Sequence, residues 1–302
     1  TRTVRLASHP AGPALREHDG RAFEYSDGWC DDSRLVVLNA RGAADRGATI
    51  LPRHELTAAH REGGLWRLQA GGREFLARAV VNAAGPAVAG LFERFGQARQ
   101  EPALRLVRGS HIVVPALFDH PYGYFFQLGD GRIFFALPFE EQFTLIGTTD
   151  VDHPSAAVPP RASEEEIGYL LDGANLYFRR RLERGDVVWT FSGVRPLVAD
   201  TSGKPETASR GYRLELSPAE EGPPLLTVFG GKITSYRQLA EKAVNLLAER
   251  GSRIGDKAWT GASSLPGGDF PVGGLADLTA DLARRYPFLA ARDARRIAKA
   301  YG

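Results

Sequence analysis

The sequence predicts a mixed fold, partly α/β and partly α+β, in which two domains are interleaved. Over residues 78–95 a β-branched strand runs into small residues and then a helix, a pattern typical of an α/β domain. From Leu104 to Asp150 the pattern is short strands only, and the chain ends in a helical tail that begins near Ala276. An antiparallel block between βα elements indicates that one domain is inserted in the other, and 302 residues suit about two domains.

The composition is that of an ordinary soluble globular protein, with 43% hydrophobic and 25% charged residues. Arginine supplies most of the 38 basic residues, but the arginines are scattered, which argues against a nucleic-acid partner. The single cysteine excludes an internal disulfide and a multi-cysteine metal site. No apolar run approaches the roughly 18 to 20 residues that a membrane-spanning helix needs, and we see no signal peptide.

The first part of the chain combines one helix with a hairpin, followed by the strand–turn–helix unit. Asp and Ser residues before apolar periodic segments indicate helix starts, and glycines after them indicate helix ends. The predicted segments are a loop or extended edge over 1–24, a helix capped by Asp31 or Asp32 and stopped near Gly47, a short buried strand over Thr49–Leu51, a hairpin of Leu56–His60 with Leu65–Leu68, and a helix from about Pro86 to Phe95.

The rest of the chain is richer in strands. A helix from about Ser163 is predicted because Ser163 and Glu166 match a capping box, and a long amphipathic helix is predicted from about Ser235 to Arg250. The predicted strands are Ser110–Pro115, Tyr122–Gln127, Arg132–Pro138, Phe143–Thr149, Val187–Val194, Tyr212–Leu216 and Leu225–Phe229.

The strongest local signal is Phe229–Arg237, Phe-Gly-Gly-Lys-Ile-Thr-Ser-Tyr-Arg. A buried strand ends in Gly230 and Gly231, and a helix begins three residues later, where Ser235 and Gln238 match a capping box. The unpaired N–H groups of a helix start carry about half a positive charge, which would stabilise negative charge on a bound electron-accepting ring. An ordinary strand-to-helix turn with a glycine hinge accounts for the same residues.

Three further segments place polar side chains in or at the ends of strands. Arg195, followed by Pro196, suits bidentate recognition of a carboxylate or phosphate, although arginines at strand ends are common. His111 enters an apolar strand, where it is either a core histidine or a proton acceptor that titrates near neutrality. Thr148, in Ile-Gly-Thr-Thr-Asp, either donates to a substrate oxygen or begins a turn.

Together these segments resemble one family. In chain order they are Phe23–Asp27, Val80–Pro86, Arg108–Val114, Gly147–Val151, Ser192–Leu197 and Gly230–Arg237. Their succession is similar to the aerobic FAD-dependent glycerol-3-phosphate dehydrogenases, which are flavoproteins of the D-amino-acid-oxidase-like superfamily. The resemblance extends from about residue 20 to about residue 270.

The resemblance implies oxidation of sn-glycerol 3-phosphate to dihydroxyacetone phosphate, with hydride transfer to FAD and electrons passed to membrane quinone. It implies that Arg195, Arg210 and Lys232 hold the substrate phosphate and that Thr148 and His111 line the substrate end of the pocket. It assigns the reaction to His111, Arg195 and Lys232. The residues that it implies for FAD are Ala83, Ala84, Gly85, Gly230, Gly231, Lys232, Ile233 and Thr234.

The residues themselves are compatible with this chemistry. A dianionic phosphate needs two or three cations, and the three basic residues sit at the ends of three separate predicted strands. The C2 hydroxyl needs a base, for which His111 is the candidate. An arginine or lysine that holds the developing alkoxide, with water as the proton acceptor, would serve as well.

The resemblance also implies a domain division and a cellular place. Residues 20–100 and 222–252 would form the remainder of an FAD-binding Rossmann-like domain, 1–19 and 101–221 an antiparallel substrate-binding cap domain, and 253–302 a linker and the start of a helical C-terminal domain. The family is peripheral on the cytoplasmic face of the bacterial inner membrane. A homodimer is compatible with the resemblance.

One departure from the family is expected to matter. The family begins with a strand, a Gly-x-Gly-x-x-Gly turn and a helix that hold the FAD pyrophosphate, and no glycine cluster here has that spacing. Together with the absence of methionine, this indicates an excised or incompletely recorded chain. We therefore expect this chain alone to bind FAD weakly or not at all and to be inactive.

Two other functions stay open. One is a related flavin oxidase or dehydrogenase of amines or hydroxy acids, which needs only one arginine for a carboxylate; an oxygen-reducing relative belongs with it. The other is a non-catalytic module that binds a phosphorylated metabolite.

Overall fold

The computed structural model describes residues 1–96, 104–198, 211–251 and 258–302. Strands β1 (Arg2–Arg5) and β2 (Arg21–Glu24) pair antiparallel near the N-terminus. Helix α1 (Asp32–Ala44) follows, and Asp31 Oδ1 accepts the Arg34 N–H at 3.0 Å, which confirms the predicted cap. The strand predicted over Thr49–Leu51 is wrong. The segment is mostly exposed, and none of the described residues pairs with it. A β-strand is defined by hydrogen bonds to a neighbouring strand, so this segment is not one.

The predicted hairpin is confirmed and gains a third strand. Strands β3 (Leu56–Glu62), β4 (Leu65–Ala70) and β5 (Arg73–Ala77) form an antiparallel sheet. Trp66 is fully buried on it, and its Nε1–H donates to the carbonyl oxygens of Pro223 and Pro224, both at 3.1 Å. These two bonds attach the three-stranded sheet to the segment at Pro223 and Pro224, more than 150 residues later in the sequence.

Strand β6 (Val80–Asn82) is the predicted short strand, but the helix expected after it is wrong. Three separate 3₁₀ turns take its place, at Gly85–Ala87, Ala89–Leu91 and Glu93–Phe95. Glycines at 85 and 90 lower the helix propensity of the segment, and Gly96 ends it with a φ of 65°.

The expected antiparallel block is confirmed as a six-stranded sheet. Its central strand is β7, which pairs with β10 and β11 along one edge and with β12 along the other; the order from β11 is β11-β7-β10-β9-β8. The six strands are β7 (Leu104–Pro115), β8 (Tyr124–Gln127), β9 (Ile133–Phe139), β10 (Phe143–Gly147), β11 (Val151–Asp152) and β12 (Trp189–Val198).

Helix α2 (Glu164–Tyr177) covers one face of this sheet. The predicted capping box is confirmed: the Ser163 hydroxyl accepts the Glu166 N–H at 3.2 Å, and the Glu166 carboxylate accepts the Ser163 N–H at 3.0 Å. The apolar side of α2, which includes Ile167, Leu170 and Ala174, is buried against the sheet, where it meets even-numbered residues of β7 such as Ile112 and Val114. The opposite sheet face stays partly open.

A smaller sheet combines β13 (Tyr212–Leu216) and β14 (Leu225–Gly230) with β6, in the order β13-β14-β6. Strand β14 runs parallel to β6 and antiparallel to β13. Helix α3 (Tyr236–Glu249) then begins close to the predicted place.

The capping box predicted for Ser235 and Gln238 is wrong. The Ser235 hydroxyl instead donates to the Lys232 carbonyl at 3.0 Å and closes the 3₁₀ turn Ile233–Ser235.

The predicted helical tail forms two helices, α4 (Leu275–Arg285) and α5 (Ala291–Tyr301). Helix α5 contacts the first turn of α1 and the segment before it: the Arg34 guanidinium lies 4.4 Å from the Tyr301 ring, and the Lys299 ammonium lies 4.2 Å from the Trp29 ring. In the described part of the chain, no helix has the length and apolar character to cross a membrane.

The two faces of the six-stranded sheet should respond differently to truncation. Phe134 is 1% exposed beneath α2, so Phe134→Ala should lower the free energy of unfolding by about 3–5 kcal/mol. Phe125, on the neighbouring strand, is 49% exposed on the open face, and Phe125→Ala should cost about 1 kcal/mol or less. Urea denaturation of both variants measures this, and equal losses would contradict the assignment of the covered face.

Candidate functional site

The open face of the six-stranded sheet carries an imidazole held flat against the backbone. His111 on β7 is paired across the sheet with Gly147 on β10 and with Phe191 on β12. The imidazole and the Phe191 ring are stacked with centroids 4.9 Å apart. A Cβ atom at Gly147 would lie 2.1 Å from His111 Cδ2, so glycine is required there for the ring to occupy this position.

The guanidinium of Arg195 lies on the same face of the sheet as His111, on the neighbouring strand β12. Arg195 on β12 donates from Nη1 to Asp150 Oδ1 at 2.6 Å and from Nη2 to Thr148 Oγ1 at 3.2 Å. A Cβ atom at Gly109 would lie 2.6 Å from Thr148 Oγ1 and 2.7 Å from Arg195 Nη2. The missing side chain of Gly109 therefore makes the space in which the hydroxyl and the guanidinium meet.

The environment of His111 keeps its ring neutral. Burial, together with a smaller contribution from the positive charge of Arg195, lowers the pKa of His111 to about 4, while Asp32 at the start of α1 opposes both. The His111 Nδ1 atom is buried and has no hydrogen-bond partner among the described residues. At neutral pH the ring is thus uncharged, and one of its two nitrogens has a free lone pair, the state that a proton acceptor needs.

Two glycine turns lie at the carboxyl ends of the parallel strands β6 and β14, where ligands bind in open α/β sheets. After β6, the Asn82 carboxamide is buried and donates to the Val88 carbonyl at 3.0 Å, shaping a turn in which Gly85 has a φ of 56°. A Cβ atom at Gly85 would meet nothing within 4 Å, so the turn is open on that side.

The turn after β14 has φ values of 70° at Gly230 and 104° at Gly231. A Cβ atom at Gly230 would lie 2.8 Å from the Gly211 carbonyl oxygen and 3.1 Å from a methyl group of Val198, so side chains are excluded there. Because Val198 ends β12, this turn adjoins the strand that carries Arg195, and the Gly85–Ala87 turn also contacts β12.

The structure brings together three of the predicted site residues, His111, Thr148 and Arg195, and sets the predicted turns at Ala83–Gly85 and Gly230–Thr234 against the end of β12. Lys232 lies within the second turn; within the described ranges its exposed side chain has no ion-pair partner. Arg210, the third predicted phosphate ligand, lies outside the described residues.

The sequence did not single out Asp150 and Phe191 as individual site residues, although both contact predicted ones. The available signal was alternation: Asp150 lies two positions after Thr148, and Phe191 lies four positions before Arg195 on the same strand, so each shares a face with a predicted residue. The position of Asp32 near His111 follows from tertiary structure and has no sequence signal.

The neutral imidazole should make stability depend on pH. Between about pH 6.5 and pH 4 an unfolded histidine binds a proton that folded His111 does not, so the free energy of unfolding should fall as the pH falls through this window, by about 3 kcal/mol. Urea denaturation at about pH 7 and about pH 4.5 measures the loss.

The variant His111→Gln should lack this part of the pH dependence, whereas His60→Gln, at an exposed histidine, should keep it. The same pH dependence in His111→Gln as in the unmodified chain would contradict a buried neutral ring.

The sequence and the fold are similar to those of known dehydrogenases. The chain is 43% identical over 298 residues to the aerobic glycerol-3-phosphate dehydrogenase of Escherichia coli (strain K12), which covers 97% of this chain and 59% of that protein. It is 40% identical over 295 residues to the D-erythritol 1-phosphate dehydrogenase of Brucella abortus (strain 2308), which covers 96% of this chain and 58% of that protein.

Among solved structures, the fold is similar to the glycerol-3-phosphate dehydrogenase of Bacillus halodurans complexed with FAD. The TM-score is 0.78 at 29% identity, over 96% of this chain and 58% of that one. The chain therefore spans less than two thirds of the length of each of these relatives. A family model described as FAD dependent oxidoreductase matches residues 5–237, more than half of the sequence, and the chain belongs to that family.

Proposed function

We propose that this protein oxidises sn-glycerol 3-phosphate to dihydroxyacetone phosphate as an FAD-dependent dehydrogenase. The observation that carries the proposal is the neutral His111 ring beside the Arg195 guanidinium on one open sheet face. A cation for a phosphate and a base for an alcohol are the two groups that this substrate requires. The names of the relatives from Escherichia coli and Bacillus halodurans support the same substrate.

The residues present fit a flavin. The turns at Ala83–Gly85 and at Gly230–Thr234 follow parallel strands, and their glycines have positive φ and no side chains to obstruct a close approach. Helix α3 begins directly after the second turn, so its N-terminal N–H groups would favour negative charge on the ring. When bound, FAD supplies the two-electron acceptor for oxidation of the alcohol.

In this scheme Arg195 holds the substrate phosphate, joined by Lys232 and Arg210. Asp150 already pairs with Arg195 at 2.6 Å and would weaken its attraction for an anion, so a dianionic phosphate needs the further cations. The Lys232 ammonium is exposed and has no ion-pair partner among the residues that the structure describes, and the turn that carries it adjoins the end of β12 at Gly230, so it is suited to that role. Thr148 aligns the guanidinium and offers a hydroxyl to a substrate oxygen.

His111 accepts the proton of the C2 hydroxyl in the same scheme. Arg195 and burial keep the ring free of a proton before substrate binds. A phosphate dianion on Arg195 offsets the positive charge next to the ring, which strengthens the imidazole as a base when the substrate is present. Binding and proton acceptance are in this way coupled through the electrostatic interaction of Arg195 with the imidazole.

We also propose the remaining features of the family for this protein: membrane quinone as electron acceptor, a peripheral position on the cytoplasmic face of the bacterial inner membrane, and homodimer formation. For the proposed cap domain, 1–19 with 101–221, the attachment of residues 1–19 is supported by hydrogen bonds, while β13 near the end of the range pairs with β14 in the smaller sheet. Tyr124 Oη donates to the Ala11 carbonyl at 2.6 Å and the Arg16 N–H to the Tyr177 carbonyl at 2.9 Å.

The phosphate contact is tested by Arg195→Ala in the full-length, FAD-loaded enzyme. We expect a loss of about 2–4 kcal/mol of transition-state stabilisation, mainly as a higher KM for glycerol 3-phosphate. Lys232→Ala should behave alike. Arg184→Ala is the matched control, because Arg184 forms an exposed ion pair with Glu164 and should matter by less than about 0.5 kcal/mol. Wild-type kinetics in both site variants would refute the phosphate site.

A second candidate substrate is a four-carbon polyol phosphate, favoured by the 40% identity to the Brucella abortus enzyme. The phosphate and the neighbouring secondary alcohol are common to both substrates, so the same residues would serve. Comparing kcat/KM for glycerol 3-phosphate and D-erythritol 1-phosphate decides between them, and a ratio of about tenfold or more in favour of the tetritol would replace the three-carbon substrate.

A further inference from the structure

A buried carboxylate lies behind the candidate site, on the covered face of the six-stranded sheet. Glu166 is 4% exposed, and its oxygens accept hydrogen bonds from Thr149 Oγ1 at 2.6 Å, Ser110 Oγ at 2.8 Å and Arg108 Nη2 at 2.7 Å. Of the hydrogen bonds that the Glu166 carboxylate accepts, only the one from the Ser163 N–H belongs to the capping box of α2. The other bonds tie the helix to the sheet and are not needed to cap it.

The sheet residues in this cluster are the direct chain neighbours of the site residues. Ser110 stands between Gly109 and His111, and Thr149 stands between Thr148 and Asp150, the two residues that bond Arg195. Because successive side chains of extended chain point to opposite faces, anchoring each hydroxyl behind the sheet sets the position of its neighbours in front.

The third strand of the site is joined to the same cluster. The Ser192 hydroxyl lies 2.8 Å from the Ser110 hydroxyl, and Ser192 precedes Gly193 and follows Phe191, the ring stacked on His111. Ser110 is further fixed by its own N–H, which donates to Thr149 Oγ1 at 2.9 Å. One carboxylate is therefore linked to β7, to β12 and to the segment after β10.

We propose that Glu166 is a positioning residue for substrate binding, which acts through Thr149 and Ser110 to hold Arg195, Thr148 and His111 in place. This inference rests on the proposed function, since it assigns Glu166 to the phosphate-binding side of that reaction. Glu166 itself touches none of the three site residues.

The cluster requires an ionised carboxylate. Burial by itself would raise the pKa of Glu166, but the hydrogen bonds from Thr149, the Ser163 N–H, Ser110 and Arg108 hold that pKa below its ordinary value. A glutamine would turn an N–H₂ donor toward one of these donors and leave a buried group unpaired. Thr149→Val is the milder change, because it removes one hydroxyl at nearly constant volume.

Steady-state kinetics of the full-length, FAD-loaded enzyme test the role. Thr149→Val and Glu166→Gln should raise the KM for glycerol 3-phosphate about tenfold and lower kcat much less, and Thr149→Ser, which restores the hydroxyl, should return KM toward wild type. Glu164→Gln is the matched control, because Glu164 lies on the same helical turn and its carboxylate forms an exposed ion pair with Arg184, away from the cluster. Thermal midpoints that fall while KM stays at the wild-type value would overturn the positioning role.

Binding of inorganic phosphate to the flavin-free chain separates this inference from the proposed function. We expect phosphate to shift the NMR signals of the His111 ring, with an affinity about tenfold weaker in Thr149→Val than in wild type. If phosphate does not shift the His111 ring signals of the wild-type chain, the phosphate site is overturned, and with it the role of Glu166. Equal affinity in wild type, Thr149→Val and Glu166→Gln would leave the phosphate site standing and overturn the positioning role alone.

Discussion

The candidate site depends on the two-residue alternation of side chains along β7. This strand is hydrogen-bonded to β10 and β11 on one edge and to β12 on the other, so its register fixes all of them. Even-numbered residues such as Ile112 enter the core beneath α2, while Gly109 and His111 face the open side. A slip of one residue would bury the imidazole in the core and place an isoleucine in the site, and burial of Ile112 opposes that slip.

The same alternation lets a polar cluster and a polar site occupy one sheet without touching. Their charges lie on opposite sides: Glu166 with Arg108 behind, and Arg195 with Asp150 in front. Behind the sheet the carboxylate is fully supplied with donors, as a buried charge must be. In front, the buried His111 Nδ1 has no hydrogen-bond partner in the part of the chain that the structure describes. The sheet thus separates a fully bonded cluster behind from the side that carries His111 and Arg195.

Local signals in the sequence predicted local structure well. The Asp31 cap and the Ser163–Glu166 capping box depend on residues within one turn, and both are present. The Ser235–Gln238 box had the same sequence signal but failed, because a 3₁₀ turn had already engaged the Ser235 hydroxyl. The strand at Thr49–Leu51 failed because strand character needs a partner, which a single segment cannot reveal.

The assembly of the site lay beyond local signals. Residues His111, Thr148 and Arg195 were each predicted from their own segments, and family resemblance grouped them, but their contact depends on the register between β7 and β12, about eighty positions apart in sequence. Alternation alone puts Asp150 on the side of Thr148 and Phe191 on the side of Arg195, but the stacking of Phe191 on His111 and the pairing of Asp150 with Arg195 follow only from the tertiary structure. Glu166 was predicted for its helix cap alone, because nothing local reveals which hydroxyls a carboxylate will meet across a sheet.

The contact between Gly147 and His111 restricts how these two positions can change in evolution. Since a methyl group at 147 and an imidazole at 111 cannot coexist in this geometry, a lineage can change the first only after giving up the second, so the two positions should have a shared evolutionary history.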